Sequence, residues 1–132
     1  MHDRPERERR WLQGAVAIGC LVPLSAGLAG VVLGPGLTGD GAGIAGDSHY
    51  RYLSGLLLGI GLMFVSTIPA VETKGPRFRL LTAIVVIGGL GRAIGYALLG
   101  APDLPMTLAL GMELAVTPLL CLWQARIARA FR

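Results

Sequence analysis

The stretch WLQGAVAIGCLVPLSAGLAGVVL, residues 11–33, decides the fold of this chain. It belongs to a run of 29 residues between Arg10 and Asp40 that contains no charged side chain. A helix of about 20 apolar residues crosses a hydrocarbon core about 30 Å thick. Three further runs, interrupted by at most one charge each, reach this length. The sequence therefore predicts four transmembrane helices, at about residues 11–33, 52–71, 80–99 and 106–123.

The composition of the 132 residues is that of a membrane protein, with 53% hydrophobic and only 15% charged residues. Soluble domains contain about 25% charged residues, and disordered chains contain few apolar ones. The run LLLGIGLMFV, residues 56–65, does not alternate as a membrane β-strand would. We therefore predict an all-α fold, in which residues 1–132 form a single integral membrane domain. Short links make it an up-down-up-down four-helix transmembrane bundle.

The basic residues predict the orientation of this bundle. Ten of the twelve lysines and arginines flank the spans on one side: Arg4, Arg7, Arg9, Arg10, Lys74, Arg77, Arg79, Arg126, Arg129 and Arg132. Cytoplasmic segments are rich in Lys and Arg, so both the N and C termini are expected in the cytoplasm. Because these charges flank apolar spans without an aromatic platform between them, they favour contact with anionic membrane lipids and argue against a nucleic-acid partner.

Several glycine patterns have structural explanations. Residues 41–46 match G-x-G-x-x-G, but this dinucleotide fingerprint requires a preceding strand, and a membrane helix precedes it here. The G-x-x-x-G pairs Gly55/Gly59 and Gly91/Gly95 are typical of membrane helices that approach each other closely. The pattern alone leaves open whether that contact is internal or between two copies of the chain.

The chain offers few ligands for a metal or a cofactor. Cys20 and Cys121 have no C-x-x-C partner and are expected at different positions along their helices, so free thiols are predicted. Of the two histidines, His2 precedes the first span and His49 is expected across the membrane from it. Zinc sites need three or four nitrogen, sulfur or oxygen ligands. We therefore expect no metal and no other cofactor.

Arg92 and Glu113 are the two charged residues inside the predicted spans. A charge at mid-membrane costs at least about 2.5–3.5 kcal/mol, so it usually faces the bundle interior and has a partner. At about 1.5 Å per residue, Arg92 lies about 18 Å from the inner face and Glu113 about 10 Å from the outer face. These depths nearly match in a core about 30 Å thick. We predict an ion pair, which either fixes helix register or lines a pocket.

Polar residues at the outer end of the second span extend this hypothesis. Asp47 or Ser48 is expected to cap the helix, and His49 and Arg51 to lie one or two turns above the ion pair. Tyr96 follows Arg92 by four residues and so shares its helix face. In one alternative, His49 and Arg51 are simply interfacial residues that lie in headgroup water. The other is a polar cluster that binds a ligand in the outer half of the membrane, formed by Asp47, His49, Tyr50, Arg51, Arg92, Tyr96 and Glu113.

Three motifs together carry a resemblance: DSHYRYLSG at residues 47–55, GGLGR at 88–92 and ELAVTPLLCLWQARIA at 113–128. The chain resembles a bacterial family of small four-helix membrane proteins of unknown function, which is distantly similar to DoxX-like membrane proteins. The resemblance implies a multi-pass inner-membrane protein with no established activity. Thr117 before Pro118 is a departure, because the family often has a second proline there. The family's recurrent polar positions correspond to Asp47, His49, Tyr50, Arg51, Arg92 and Glu113.

Two functions remain open at this point. Small size and glycine-rich helix faces favour a structural or accessory subunit that associates with another membrane protein or forms a homo-oligomer. The polar cluster favours a bundle that binds a lipid, a quinone or a small anion. No catalytic residue is predicted, and the accessory role is preferred.

Overall fold

The computed structural model describes residues 3–37, 43–100 and 103–132, and this part of the chain is helical, without strands. The four helices are α1 (Asp3–Leu33), α2 (Gly43–Val65), α3 (Gly75–Leu99) and α4 (Leu104–Ala130). Short 3₁₀ turns follow α1 at Gly34–Leu37 and precede α3 at Val71–Thr73. The all-α prediction is confirmed. Asp40 and the first two residues of the 41–46 glycine pattern lie outside the described residues.

Three of the four helices, α1, α3 and α4, are long and apolar enough to cross a membrane. In their most apolar stretches only 22%, 17% and 0% of the residues, respectively, are buried. Apolar surface of this extent is stable against hydrocarbon but not against water. These three helices therefore indicate a membrane protein. The remaining helix, α2, is 23 residues long and carries the polar residues around Asp47 in its first turns.

The boundaries of α2 differ from the sequence prediction at both ends. The helix begins at Gly43, so Asp47 and Ser48 lie inside it and the predicted N-cap at either residue is wrong. It ends at Val65 and not at residue 71. Pro69 explains this end, because proline lacks an N–H group and its ring clashes with the carbonyl four residues earlier. The hydroxyl of Thr67 donates to the Phe64 carbonyl at 2.6 Å and completes the stop.

The contacts divide the chain into two compact units, Gly14–Pro69 and Met1–Gln13 together with Ala70–Arg132. The first is called the α1–α2 unit and the second the α3–α4 unit, to which α1 contributes its first turns. The single-domain organisation remains a prediction. Both cysteines are free thiols, as predicted.

In the α1–α2 unit the helices approach through glycines that the sequence motifs did not single out. A Cβ at Gly27 would lie 2.7 Å from the backbone nitrogen of Leu58, and one at Gly30 would overlap the side chain of Ser54. In contrast, a Cβ at Gly59 would meet nothing within 4 Å. The close approach is therefore made by α1 glycines and not by the Gly59 end of the predicted G-x-x-x-G pair.

In the α3–α4 unit the corresponding close approach is at Gly89, where a Cβ would lie 2.8 Å from Leu114 Cδ2 and 2.9 Å from Glu113 Cβ. The best-buried core lies at the opposite end of this unit. Its fully buried or nearly fully buried members come from α1, the Val71–Thr73 turn, α3 and α4: Leu12, Val71, Phe78, Gln124 and Ile127. The basic residues therefore surround the most tightly packed part of the unit.

Two neighbouring glycines on α3 test this packing. Gly89→Ala is expected to lower the free energy of unfolding in detergent by about 1–3 kcal/mol, because the new methyl group overpacks the α3–α4 contact. Gly88→Ala is the matched control, since a Cβ at Gly88 would meet nothing within 4 Å. It is expected to be neutral or slightly stabilising, because alanine favours the helix. Equal melting temperatures for the two variants would contradict the contact.

Candidate functional site

The seven predicted site residues fall into two groups, one in each unit. Four lie on α2 in the α1–α2 unit: Asp47, His49, Tyr50 and Arg51. Three lie on α3 and α4 in the α3–α4 unit: Arg92, Tyr96 and Glu113. A single pocket formed by all seven remains a prediction.

The structure brings Arg92 and Glu113 into direct contact. Arg92 Nε donates to Glu113 Oε2 at 3.1 Å, and Arg92 Nη2 donates to Glu113 Oε1 at 3.0 Å. This bidentate arrangement is the strong geometry for an arginine and a carboxylate, because both hydrogen bonds are charge-assisted and directional. The two side chains are 33% and 19% exposed, respectively. The pair therefore links α3 to α4 and is only partly covered.

Glu113 lies in an irregular part of α4, the π-helical turn Met112–Val116. Pro118 explains this turn, since it has no N–H group to donate and its ring would clash with a carbonyl of the preceding turn. Thr117 satisfies the widened backbone: both its N–H group and its hydroxyl donate to the Met112 carbonyl, the latter at 2.8 Å. Single π-helical turns inside α-helices are frequent at functional sites.

The remaining nitrogen of the Arg92 guanidinium has a weaker partner. Nη1 contacts the sulfur of Met106 at 3.5 Å, and a thioether is a poor acceptor. Nearby, the Tyr96 hydroxyl reaches Thr107 Oγ1 at 3.5 Å, the outer limit for a hydrogen bond. Arg92 therefore keeps hydrogen-bonding capacity beyond its pair with Glu113.

The start of α4 is fixed by Asp103, whose carboxylate accepts from the Met106 N–H group at 3.0 Å. Pro105 lies in the first turn of the helix. The cap holds Met106 and Thr107, the neighbours of Arg92 and Tyr96, in place.

Arg51 has a structural partner set in the α1–α2 unit. Its Nε donates to Asp47 Oδ2 at 2.9 Å, and its Nη1 donates to the carbonyls of Val31 and Val32 at 2.7 and 3.2 Å. These carbonyls belong to the last turn of α1, which has no helical N–H partners and carries partial negative charge. Gly34, with φ +66°, ends the helix and leaves room for the guanidinium. Arg51 therefore caps α1.

The other two members of the α2 group have different environments. His49 is exposed and has no hydrogen bond or ion pair within the described ranges. Tyr50 is half-buried, and its ring lies 3.3 Å from the position of a Cβ on Gly30. The structure therefore packs Tyr50 on α1 and leaves His49 at the surface.

Sequence analysis missed a buried polar group at the opposite end of the α3–α4 unit. Gln124 is completely buried, and its Nε2 donates to the Val71 carbonyl at 2.9 Å. Arg9 reaches Glu72 at 3.3 Å, next to Val71. The detectable signal was a glutamine inside the apolar segment before Arg126. These contacts tie α1, the Val71–Thr73 turn and α4 together.

Comparison with known proteins adds one finding. The model of a family described as a domain of unknown function, DUF4345, matches residues 11–124. No curated protein and no solved structure shows a significant match. Among the described residues, no group of three or more His, Cys, Asp or Glu side chains is arranged to hold a metal ion.

The ion pair is tested by a double-mutant cycle. Arg92→Leu and Glu113→Leu are each expected to lower the free energy of unfolding in detergent by about 3 kcal/mol, because the surviving charge loses its partner in an apolar setting. The double variant is expected to recover much of this loss. Thermal unfolding of the four proteins measures the coupling. Strictly additive losses would mean that the two side chains do not interact.

Proposed function

Since the chain belongs to the DUF4345 family, whose description assigns no function, we propose that it is an accessory protein of the bacterial inner membrane. It spans this membrane several times, with both termini in the cytoplasm, and associates laterally with other membrane proteins or with a second copy of itself. We also propose that its family is distantly related to DoxX-like membrane proteins.

One observation carries the proposal: an uncovered row of glycines on α3. Gly88, Gly91 and Gly95, called the open glycine face, are spaced by three and four residues and so share one side of the helix. In the described part of the chain, a Cβ at any of the three would meet nothing within 4 Å. Small residues of this spacing let membrane helices approach closely, where packing and not hydrophobicity drives association.

Arg92 supports a partner on this face. It lies about 40° round the helix from Gly88, at 100° per residue, between the open glycine face and the side of α3 that packs on α4. Its side chain is 33% exposed, and its Nη1 contacts the Met106 sulfur. A partner helix on the glycines would shield the guanidinium from lipid and offer it a carbonyl or hydroxyl acceptor.

The same Nη1 atom favours a second candidate function, the binding of a lipid, quinone or small anion. A phosphate or quinone oxygen is a far better acceptor than a thioether. In this alternative Arg92 binds the ligand while Glu113 holds the guanidinium in position. The two candidates differ in what occupies the space beside Arg92, a protein helix or a small molecule.

Lateral association is tested by purification in a mild detergent and native mass spectrometry. The wild-type chain is expected as a homodimer or with a stoichiometric protein partner. Gly91→Leu is expected to lose that partner while keeping the helical circular-dichroism spectrum, because the new side chain blocks helix approach and its Cβ meets nothing within 4 Å. Gly19→Leu on α1 is the matched control, since a Cβ there also meets nothing within 4 Å. It is expected to retain the partner.

A monomeric wild-type chain, or equal association in Gly91→Leu and the wild type, would contradict the accessory role at this face. A co-purifying small molecule that is lost in Arg92→Ala would instead favour the second candidate.

The orientation is tested by fusion of a phosphatase reporter that is active only in the periplasm. A fusion after Arg132 is expected to be inactive, because ten of the twelve basic residues flank the spans on that side. A reporter inserted next to Asp103 is expected to be active and serves as the control. Activity after Arg132 would reverse the proposed topology.

A further inference from the structure

The acidic residues at one end of the α3–α4 unit are largely neutralised within the unit. This basic end comprises the first turns of α1, the Val71–Thr73 turn with the start of α3, and the last turns of α4. Arg9 binds Glu6 at 3.1 Å and Glu72 at 3.3 Å. Glu8 lies between Arg4 at 3.7 Å and Arg126 at 3.4 Å. Three of the four acidic residues at this end thus form ion pairs within the unit.

Six cations at the basic end are left without an acidic partner in the described residues: Arg7, Arg10, Lys74, Arg79, Arg129 and Arg132. Five of them are exposed, and Lys74 is half-buried. They come from three separate segments of the chain, which the buried contacts of Gln124 and Glu72 hold together. The unit therefore presents a concentrated, fixed positive charge.

Both tryptophans of the chain, Trp11 and Trp123, belong to the same end. Trp11 is 68% exposed and lies one residue after Arg10. Tryptophan prefers the level of lipid headgroups, where its ring is apolar and its N–H group is wet. The two rings therefore mark the basic end as the part of the unit that meets headgroups, and not the bulk aqueous phase.

From these observations we infer that the basic end binds the phosphate headgroups of anionic phospholipids and enriches them around the protein. Each Lys or Arg near an anionic leaflet strengthens attraction about fivefold, and the effect decays within a Debye length. The inference rests on the membrane location of the chain but not on lateral association through α3. Its failure would leave the accessory role intact.

The two tryptophans supply the measurement. The protein is reconstituted in vesicles of dioleoyl phosphatidylcholine that contain rising fractions of phosphatidylglycerol brominated near the headgroup. Bromine quenches the fluorescence of adjacent tryptophan, so quenching reports the lipids next to the basic end. Brominated phosphatidylcholine gives the reference. We expect phosphatidylglycerol to be preferred at least about threefold, and the preference to vanish at about 1 M salt, where the Debye length is about 3 Å.

Two double variants that lose the same charge test whether the lipid preference depends on the unpaired cations or only on the net charge. Lys74→Gln/Arg79→Gln removes two unpaired cations and is expected to lose most of the preference. Arg4→Gln/Arg126→Gln removes two cations that lie on Glu8 and is expected to keep most of it. Arg129→Gln/Arg132→Gln is a second test pair in case the first does not fold, as judged by circular dichroism. Equal quenching by both lipids in the wild type, or equal losses in paired and unpaired variants, would overturn the inference.

Discussion

Hydrocarbon accepts no hydrogen bonds, so every polar group along these helices requires a partner supplied by the chain. Hydroxyl side chains meet this constraint with backbone carbonyls of their own helices. Ser25 and Thr82 donate to carbonyls four residues earlier, at 2.5 and 2.8 Å, and Thr117 donates five residues back at the π-helical turn. Polar residues can therefore occur inside apolar helices without interhelical contacts of their own.

The two membrane-side arginines meet the same constraint in opposite ways. Arg51 lies at the C-terminal end of α1, where the last carbonyls have no helical N–H partner, and it donates to two of these carbonyls. Arg92 lies within α3, where the carbonyls accept helical N–H groups, and it pairs instead with the Glu113 carboxylate of α4. A guanidinium at a helix end is thus part of the scaffold. The same group in mid-helix depends on a second helix, and its remaining donors stay available to a ligand or a partner.

Much of the fold could be predicted from the sequence, because charge is so sparse that its positions define the apolar helices. The contact between Arg92 and Glu113 followed from their opposite charge, the cost of an unpaired charge in a span and their matched depth, since rise per residue is nearly constant in a helix. The end of α2 was misplaced because the apolar run continues past Pro69, and backbone geometry, not hydropathy, stops the helix there. The glycine contacts could not be assigned from the sequence, because spacing identifies a helix face but not which neighbour covers it. The buried Gln124 escaped notice because a single uncharged polar residue barely alters an apolar pattern.

The π-helical turn sets the rotational phase of α4. In a regular helix, eleven residues advance about 1,100°, close to three full turns, so Glu113 and Gln124 would point the same way. The wider turn absorbs about one extra residue and displaces the later half by roughly a quarter of a revolution. One half of the helix can then address α3 through Glu113 while the other addresses the Val71 carbonyl through Gln124. The extra residue in this turn thus rotates the second half of α4 relative to the first. A one-residue deletion within the turn would misalign one of the two contacts.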